Sequence, residues 1–260
     1  MDEALDQLTQ ITSELQSQAL RLRMVSVARV FDRFPRTVRD LTRELGKEVE
    51  FEVHGREIEL DRVILDQLHE PLLHLLRNAL DHGLESPAER TRLGKPPAGR
   101  LTLSARRERE PVVVEVADDG KGMDAETLRA KAVERGMLTP EEAALLSEMQ
   151  ALMLVCAPGF STVAQVTQWS GRGVGMDVVK TAVEAAGGTM EIVSELGKGT
   201  RFALHLPVTL AIIRVLLIRL GAEVYGMPLS NVQEAVNMDD VTLRTIGNRK
   251  VTTIRDMVLP

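Results

Sequence analysis

Aromatic side chains are scarce in this 260-residue chain: one Trp, one Tyr and five Phe, or 3% of the residues. A core must therefore be assembled mainly from Leu, Val, Ile, Ala and Met. Cysteine is nearly absent too. Cys156 stands alone, which excludes an intrachain disulfide and fits a reducing compartment. Positive charge is not in excess: 32 Lys and Arg stand against 38 Asp and Glu, the net charge is −6 and the pI about 5.5. That balance argues against a nucleic-acid binder working through a basic surface. No apolar run is long enough to span a bilayer, because the longest, Leu210 to Leu220, is interrupted by Arg214 and Arg219. Asp2, Glu3 and Asp6 occupy the place where a signal peptide would be basic. A cytoplasmic protein is expected. What is present is ordinary for a soluble globular chain, 44% apolar and 27% charged, with a length that suits one large domain or two modest ones.

Three regions separate by pattern. In residues 1–46, Leu8, Ile11, Leu15, Gln18, Leu22 and Val25 recur at alternating spacings of three and four, the seam of a coiled coil or helical bundle that needs a partner helix. Pro35 marks a break, and a second helix is expected to run to Leu45 with Gly46 as its C-cap. Residues 47–207 mix two periods. Alternation predicts strands at Val49–Val53, Leu101–Ala105, Val112–Ala117, Met190–Ser194 and Thr200–Leu206, and helical spacing falls at Asp61–His82, Ala125–Arg135 and Met176–Ala186. An α/β layer structure follows. In residues 208–260, Ile212–Leu220 and Glu223–Leu229 read as two strands joined at Gly221-Ala222; so short a region suggests a truncated domain.

The Asp61–His82 helix carries unusual polar groups. On a wheel of about 100° per residue, His74, Asn78, Asp81 and His82 fall within an arc of about 100°, with Leu72, Leu73, Leu75, Leu76, Ala79 and Leu80 on the remaining side. Pro71 lies inside the pattern, where a kink or restart is expected. A purely solvated face would favour Lys and Glu over Asn, Asp and His, which are poorer helix formers. The Asn78 amide oxygen suits a hard cation such as Mg²⁺.

Two glycine clusters follow. Asp118-Asp119-Gly120-Lys121-Gly122 ends a strand, where a flat ring can lie against backbone and the Asp118 carboxylate can accept a hydrogen bond from an exocyclic amine such as that of adenine. Gly171-Arg-Gly173-Val174-Gly175 opens the helix beginning at Met176, and bare N–H groups at a helix N-terminus suit phosphate. It is neither a P-loop nor a dinucleotide-binding fingerprint, because its spacing and context differ from both. The long stretch between the clusters, Met123 to Ser170, is expected to be a mobile lid or an ordinary insertion.

In combination, Asn78 on a helix, Asp118-x-Gly120-x-Gly122, Pro158-Gly-Phe-Ser-Thr162, Gly171-x-Gly173-x-Gly175 and Gly199-Thr200 resemble, in order, the N, G1, F, G2 and GT boxes of the ATPase fold shared by histidine kinases, gyrase, Hsp90 and MutL. His74-Leu-Leu-Arg-Asn-Ala-Leu-Asp-His-Gly-Leu-Glu85, Gly171-Arg-Gly-Val-Gly-Met-Asp-Val-Val179 and Leu206-Pro-Val-Thr-Leu-Ala-Ile212 resemble the CheA family of bacterial chemotaxis histidine kinases. Leu22-Arg-Met-Val25 and Phe34-Pro-Arg-Thr-Val-Arg-Asp40 look like the end of that family's dimerisation domain, and Tyr225-Gly-Met-Pro-Leu-Ser-Asn-Val232 like the start of its CheW-like regulatory domain.

The resemblance implies a two-layer α/β sandwich over 47–207, preceded by a long helix of a partial dimerisation segment and followed by a truncated, SH3-like β domain. It implies ATP and Mg²⁺ as ligands. Asn78 would ligate the metal, Asp118 would meet adenine, and Thr200 would line the adenine pocket. Asp81, Gly120, Gly122, Gly171, Gly173, Val174, Gly175 and Met176 would complete the nucleotide site, with His74 and His82 near the γ-phosphate. The implied partners are a histidine phosphotransfer domain in trans, a CheW-like adaptor, chemoreceptors and, indirectly, a response regulator, with a homodimer in the full-length protein. None of His54, His69, His74, His82 and His205 sits in a phospho-accepting context, so this chain alone is not expected to autophosphorylate. Ser26 stands where many relatives have proline. A hydrolase of the same fold would place a Glu one turn before Asn78. His74 is there instead, which favours transfer over hydrolysis; a scaffold without catalysis is the other rival reading.

Overall fold

The computed structural model describes residues 22–109, 111–160, 175–209 and 215–229, together with 7, 11, 12, 18, 232, 243–246, 249–254 and 257–259. The chain divides into two compact units, Met1–Leu210 and Ala211–Pro260.

The first unit is built on a five-stranded sheet of β2 (Val49–His54), β4 (Gly99–Arg107), β5 (Val112–Asp118), β7 (Gly199–Leu206) and β6 (Thr189–Glu195), in that spatial order. β2 and β4 are parallel, and the remaining neighbours are antiparallel. Because side chains alternate along a strand, each register row lies on one face. Val53, Leu103, Val116, Phe202 and Ile192 form one such row across the sheet. Two residues along, the row on the same face reads Phe51, Leu101, Asp118, Thr200 and Ser194. The apolar face thus turns polar at one end of β5, β7 and β6, and that change locates the site.

The helix α3 (Arg62–Asn78) joins this core through Ile64, Leu65, Leu68, Leu72, Leu75 and Leu76, all fully buried. Asp61 caps it, its carboxylate accepting the Val63 N–H at 2.8 Å and an Arg23 N–H at 2.9 Å. The helix runs through Pro71 without the restart expected there. Pro71 is buried on the helix together with Leu68, Leu72, Leu75 and Leu76, and that burial offsets the lost hydrogen bond. The helix α8 (Met176–Ala185) packs beside α3 and buries Val179 and Val183.

The seam expected to continue through Val25 is cut short. Met24–Ser26 is a strand, β1, paired antiparallel with β3 (Glu59–Asp61). The backbone bonds Val27 N–H to Ile58 O and Arg62 N–H to Arg23 O hold this segment extended. Upstream, Ile11 is 54% and Leu22 88% exposed, so part of the apolar stripe finds no cover within one chain; Leu8 and Leu15 lie outside the described residues. Downstream, α1 (Ala28–Phe31) and α2 (Phe34–Leu45) bury Val30, Phe31, Phe34 and Val38 in the same core as α3, so residues 28–45 pack with the sheet unit. Gly46 ends α2 at φ 62, the left-handed conformation of a C-cap glycine.

The stretch expected to be a mobile lid or an ordinary insertion is helical in its first part. It contains α5 (Ala125–Glu134), α6 (Pro140–Leu145), α7 (Glu148–Met153) and a 3₁₀ turn at Leu154–Cys156, and it buries Ala132, Ala151, Leu152 and Phe160. α6 and α7 each begin with a capping box, Thr139 with Glu142 and Ser147 with Gln150, which satisfies the first free N–H groups of each helix. Residues 161–174 lie outside the described residues.

In the second unit, β8 (Val215–Leu220) and β9 (Glu223–Pro228) form an antiparallel hairpin whose two-residue turn has Gly221 at φ 63. β10 (Leu243–Ile246), β11 (Arg249–Ile254) and β12 (Met257–Leu259) form an antiparallel three-stranded sheet. No described helix is long and apolar enough to cross a membrane.

Candidate functional site

Asp118 closes β5 on the helix-facing side of the sheet. Its Oδ1 accepts the Gly120 N–H at 2.9 Å, and the Thr200 N–H also donates to the carboxylate. Both bonds favour the charged form, but burial outweighs them and pushes the pKa up to about 6. Next in the row, Thr200 Oγ1 lies 2.9 Å from Ser194 Oγ. Ser194 Oγ donates to Gly199 O at 3.0 Å and accepts the Met123 N–H at 2.8 Å. A buried hydroxyl thus ties the loop after Gly122 to β6 and β7.

Glycine is required at two places here. A Cβ on Gly120 would lie 2.2 Å from Gly83 O, and one on Gly199, which sits at φ 116, would lie 1.9 Å from Asp118 O. Three segments therefore meet backbone to backbone around one carboxylate: the end of the Asn78 helix, the first glycine loop and the start of β7. Gly122 also adopts a positive φ.

Behind this junction is an ionic network that reading the chain locally did not reveal. Arg90, 1% exposed, pairs with Glu85 at 3.1 Å and Asp119 at 2.8 Å. It also donates to Pro96 O at 2.7 Å. Lys95 pairs with Glu85 at 2.8 Å and donates to Gly120 O at 2.7 Å. The Lys95 hydrogen bond and both cations hold the Glu85 carboxyl below its ordinary range, even against its burial. Removing the central cation leaves Asp119 without its ion partner, takes one of two cations from Glu85 and empties a fully buried position. Arg90→Ala is accordingly expected to destabilise the protein by about 3 kcal/mol, the low end of the range for breaking a buried pair, because Lys95 still serves Glu85. Urea unfolding measures this, and a loss under about 0.5 kcal/mol, as for a surface change, contradicts it.

The N-box residues divide between two geometries. His74 and Asn78 are on α3 and half-buried. Burial, with Arg77 nearby, lowers the His74 pKa and keeps the imidazole neutral. Asn78 Nδ2 donates to Met176 Sδ at 3.1 Å, and the amide oxygen has no protein partner among the described residues. After Asn78 the helix becomes a π turn, Ala79–Gly83, with Leu84 N–H reaching Ala79 O at 2.8 Å. The uniform wheel therefore fails beyond Asn78. Asp81 is half-buried and ion-paired with Arg77 at 3.4 Å, and His82 is exposed. Lys47, near the C-terminal end of this turn, was not among the expected residues.

Of the second cluster, Gly175 is the extended N-cap of α8 and Met176 its first residue; Gly171, Gly173 and Val174 lie outside the described residues. The α8 N-terminus therefore sits against Asn78, with its first N–H groups lacking a side-chain cap. Phe160 is buried beneath Lys131 and Arg135, whose cationic groups lie 5.4 and 5.6 Å from its ring centre. The buried Cys156 thiol is pushed up to about 12 by desolvation, which removes it as a nucleophile.

An amide oxygen beside a helix N-terminus, together with a buried carboxylate among backbone-to-backbone glycines, offers an oxygen donor and backbone N–H groups at one end and a hydrogen-bond acceptor at the other. Residues 63–210 match the family described as Histidine kinase-, DNA gyrase B-, and HSP90-like ATPase, and the chain belongs to that family. It is also similar to the Chemotaxis protein CheA of Treponema pallidum (strain Nichols), 48% identical over 97% of this chain and 31% of that protein. The Sensor histidine kinase CheAY of Helicobacter pylori (strain ATCC 700392 / 26695) is 43% identical over 100% of this chain and 32% of its own length. The Chemotaxis protein CheA of Halobacterium salinarum (strain ATCC 29341 / DSM 671 / R1) is 45% identical over 98% of this chain and 38% of its own. The chain spans about a third of the length of these relatives.

Proposed function

We propose that this chain is the ATP-binding and catalytic part of a chemotaxis histidine kinase, transferring the γ-phosphoryl of ATP to a histidine on a phosphotransfer domain supplied in trans. The observation that carries the reading is the amide oxygen of Asn78, without a protein partner among the described residues, beside the N-terminus of α8. The donor set fits Mg²⁺-ATP. Asn78 would hold Mg²⁺, which when bound neutralises the phosphates. The N–H groups of Gly175 and Met176 face phosphate oxygens. Asp118 accepts the adenine amine, and Thr200 lines the same end. Gly120 lets the first glycine loop close on the Gly83 backbone, which holds the Asp118 end of the site in shape.

Phosphoryl transfer passes through a loose transition state, so positioning and charge neutralisation dominate. An acceptor imidazole nitrogen forms the new bond to phosphorus as the bond to the leaving oxygen of ADP breaks. The acceptor's proton moves to a base. His74, kept neutral by burial, takes that role, and His82 lies eight residues further along, on the π turn, near the γ-phosphate. The wider reading includes a CheW-like adaptor and chemoreceptors bound through the second unit, a response regulator downstream, and a dimer that covers the stripe containing Ile11 and Leu22.

The test mixes the chain with radiolabelled ATP and a separately made acceptor domain. Label should appear on the acceptor as an acid-labile phosphohistidine. His74→Gln is expected to slow transfer by roughly 10²- to 10⁴-fold, the usual contribution of a general base, with nucleotide affinity nearly unchanged. Full transfer by His74→Gln would leave His74 a structural role, and no label with the native chain would sink the kinase reading.

A further inference from the structure

We propose that Lys47 is a positioning residue of the nucleotide site, its ammonium occupying a cage of carbonyl oxygens that holds the π turn in shape. The inference rests on the nucleotide reading above and adds a residue that does not touch the nucleotide.

The cage consists of Leu80 O at 2.5 Å, Asp81 O at 3.2 Å and Leu84 O at 2.8 Å from Lys47 Nζ. A helix end leaves its last carbonyls without partners inside the helix. Here Gly83 O is taken by the Lys121 N–H at 3.0 Å, and Lys47 takes Leu80 O and Asp81 O before it and Leu84 O after it. One ammonium thus spans the chain from Leu80 to Leu84. Asp81 and His82 sit inside that span. So does Gly83, whose Cα packs so closely on Asp118 that a Cβ there would lie 3.1 Å from its carboxylate.

Lys47 is itself aimed. Gly46 ends α2 in the left-handed conformation, the Lys47 N–H returns to Thr42 O at 3.0 Å, and Glu48 O accepts the Gly99 N–H at 2.8 Å. Backbone on both sides of Lys47 is therefore fixed, and its side chain reaches the turn from a different layer of the fold. Burial lowers the Lys47 pKa from its ordinary value, and the helix C-terminus works against that by favouring the charge. An ammonium carries three donors on a compact centre, which suits three carbonyls; a planar guanidinium does not.

The full chain is tested by calorimetry with Mg²⁺ and a non-hydrolysable ATP analogue, alongside amide hydrogen exchange. Lys47→Met is expected to bind roughly ten- to a hundredfold more weakly, the range for losing hydrogen bonds from a charged group. The Leu84 and Lys121 amides, which close the turn, should exchange faster. Lys47→Ala leaves the cage open. Carbonyl rings replace the hydration shell of potassium-sized ions. Its affinity and amide protection should therefore recover in ammonium or potassium chloride and not in sodium or lithium chloride at equal ionic strength. A purely structural lysine gives no such selectivity. Native affinity in Lys47→Met, or an equal response of Lys47→Ala to all four salts, overturns the proposal. If Lys47→Met fails to fold, the melting temperature of Lys47→Ala in ammonium against sodium decides, and equal values overturn it. If the native chain binds no nucleotide, the nucleotide reading fails instead, while amide exchange and salt-selective melting still judge Lys47.

Discussion

Asn78→Ala is expected to leave a folded protein that transfers phosphate roughly 10²- to 10³-fold more slowly, the cost of removing one preorganised electrostatic group from a phosphoryl-transfer centre. The separation of fold from function follows from what Asn78 contributes to each. Its only polar contact among the described residues is the weak bond to Met176 Sδ. As the last residue of α3 it is a poorer helix former than alanine by a few tenths of a kcal/mol. The fold therefore loses almost nothing, and melting within about 1 °C of the native protein, or slightly above it, is expected for so small a difference. The site loses its neutral oxygen ligand. Asn78→Asp sharpens the point, because it keeps an oxygen at the same place but adds negative charge beside the phosphates. Acid-labile labelling of a separate acceptor domain reads the rate, and calorimetry with and without Mg²⁺ reads the binding. A variant that binds Mg²⁺-ATP and transfers phosphate at the native rate would remove Asn78 from the site.

Much of this arrangement is legible along the chain, where neighbouring residues decide it. Val112, Val114 and Val116 alternate with a period of two, and the same period carries Asp118 to the helix-facing side. The run Phe202, Leu204 and Leu206 does the same for Thr200. The apolar face of the Asn78 helix is readable because Arg62–Asn78 keeps the α period and only Ala79–Gly83 departs from it. The capping boxes at Thr139 and Ser147 are equally local, and they mark helices inside the stretch between the glycine clusters.

The rest depends on partners distant in sequence. Val25 has helical spacing but joins a strand, because Glu59–Asp61 offers it a hydrogen-bonding edge. Nothing in Ala79–Gly83 announces a π turn. The ammonium that holds its carbonyls comes from Lys47, 33 residues earlier. Arg90 reads as one more charge on a short polar helix until Asp119, 29 residues away, is placed against it. Tertiary contacts override local preference at these points, and two of them flank the site.

The second large effect concerns Asp118. Asp118→Asn should abolish measurable ATP binding near neutral pH and at the same time remove a destabilising charge from the unliganded fold. The sign follows from linkage. Burial raises the carboxyl pKa to about 6 in the folded protein, above its ordinary value of 3.8. The group thus favours folding most fully below the unfolded pKa, and that contribution is lost as pH rises through 6. At pH 8 the native chain carries a cost on the order of 2–3 kcal/mol that the amide avoids. Part of the gain is offset, because the amide turns an N–H₂ towards one of the two backbone donors that the carboxylate accepts. The slope is therefore the clean readout: the stability difference between variant and native chain should grow between about pH 4 and 7 and then level off. Binding runs the opposite way. Native affinity should strengthen as pH rises through 6, since the charged carboxylate is the better acceptor for the adenine amine, and binding below that pH should release a proton. Calorimetry in two buffers of different ionisation enthalpy detects that proton. Equal native affinities at pH 5 and pH 7.5, with no proton released, would place adenine elsewhere and leave Asp118 as a structural anchor for Gly120 and Thr200.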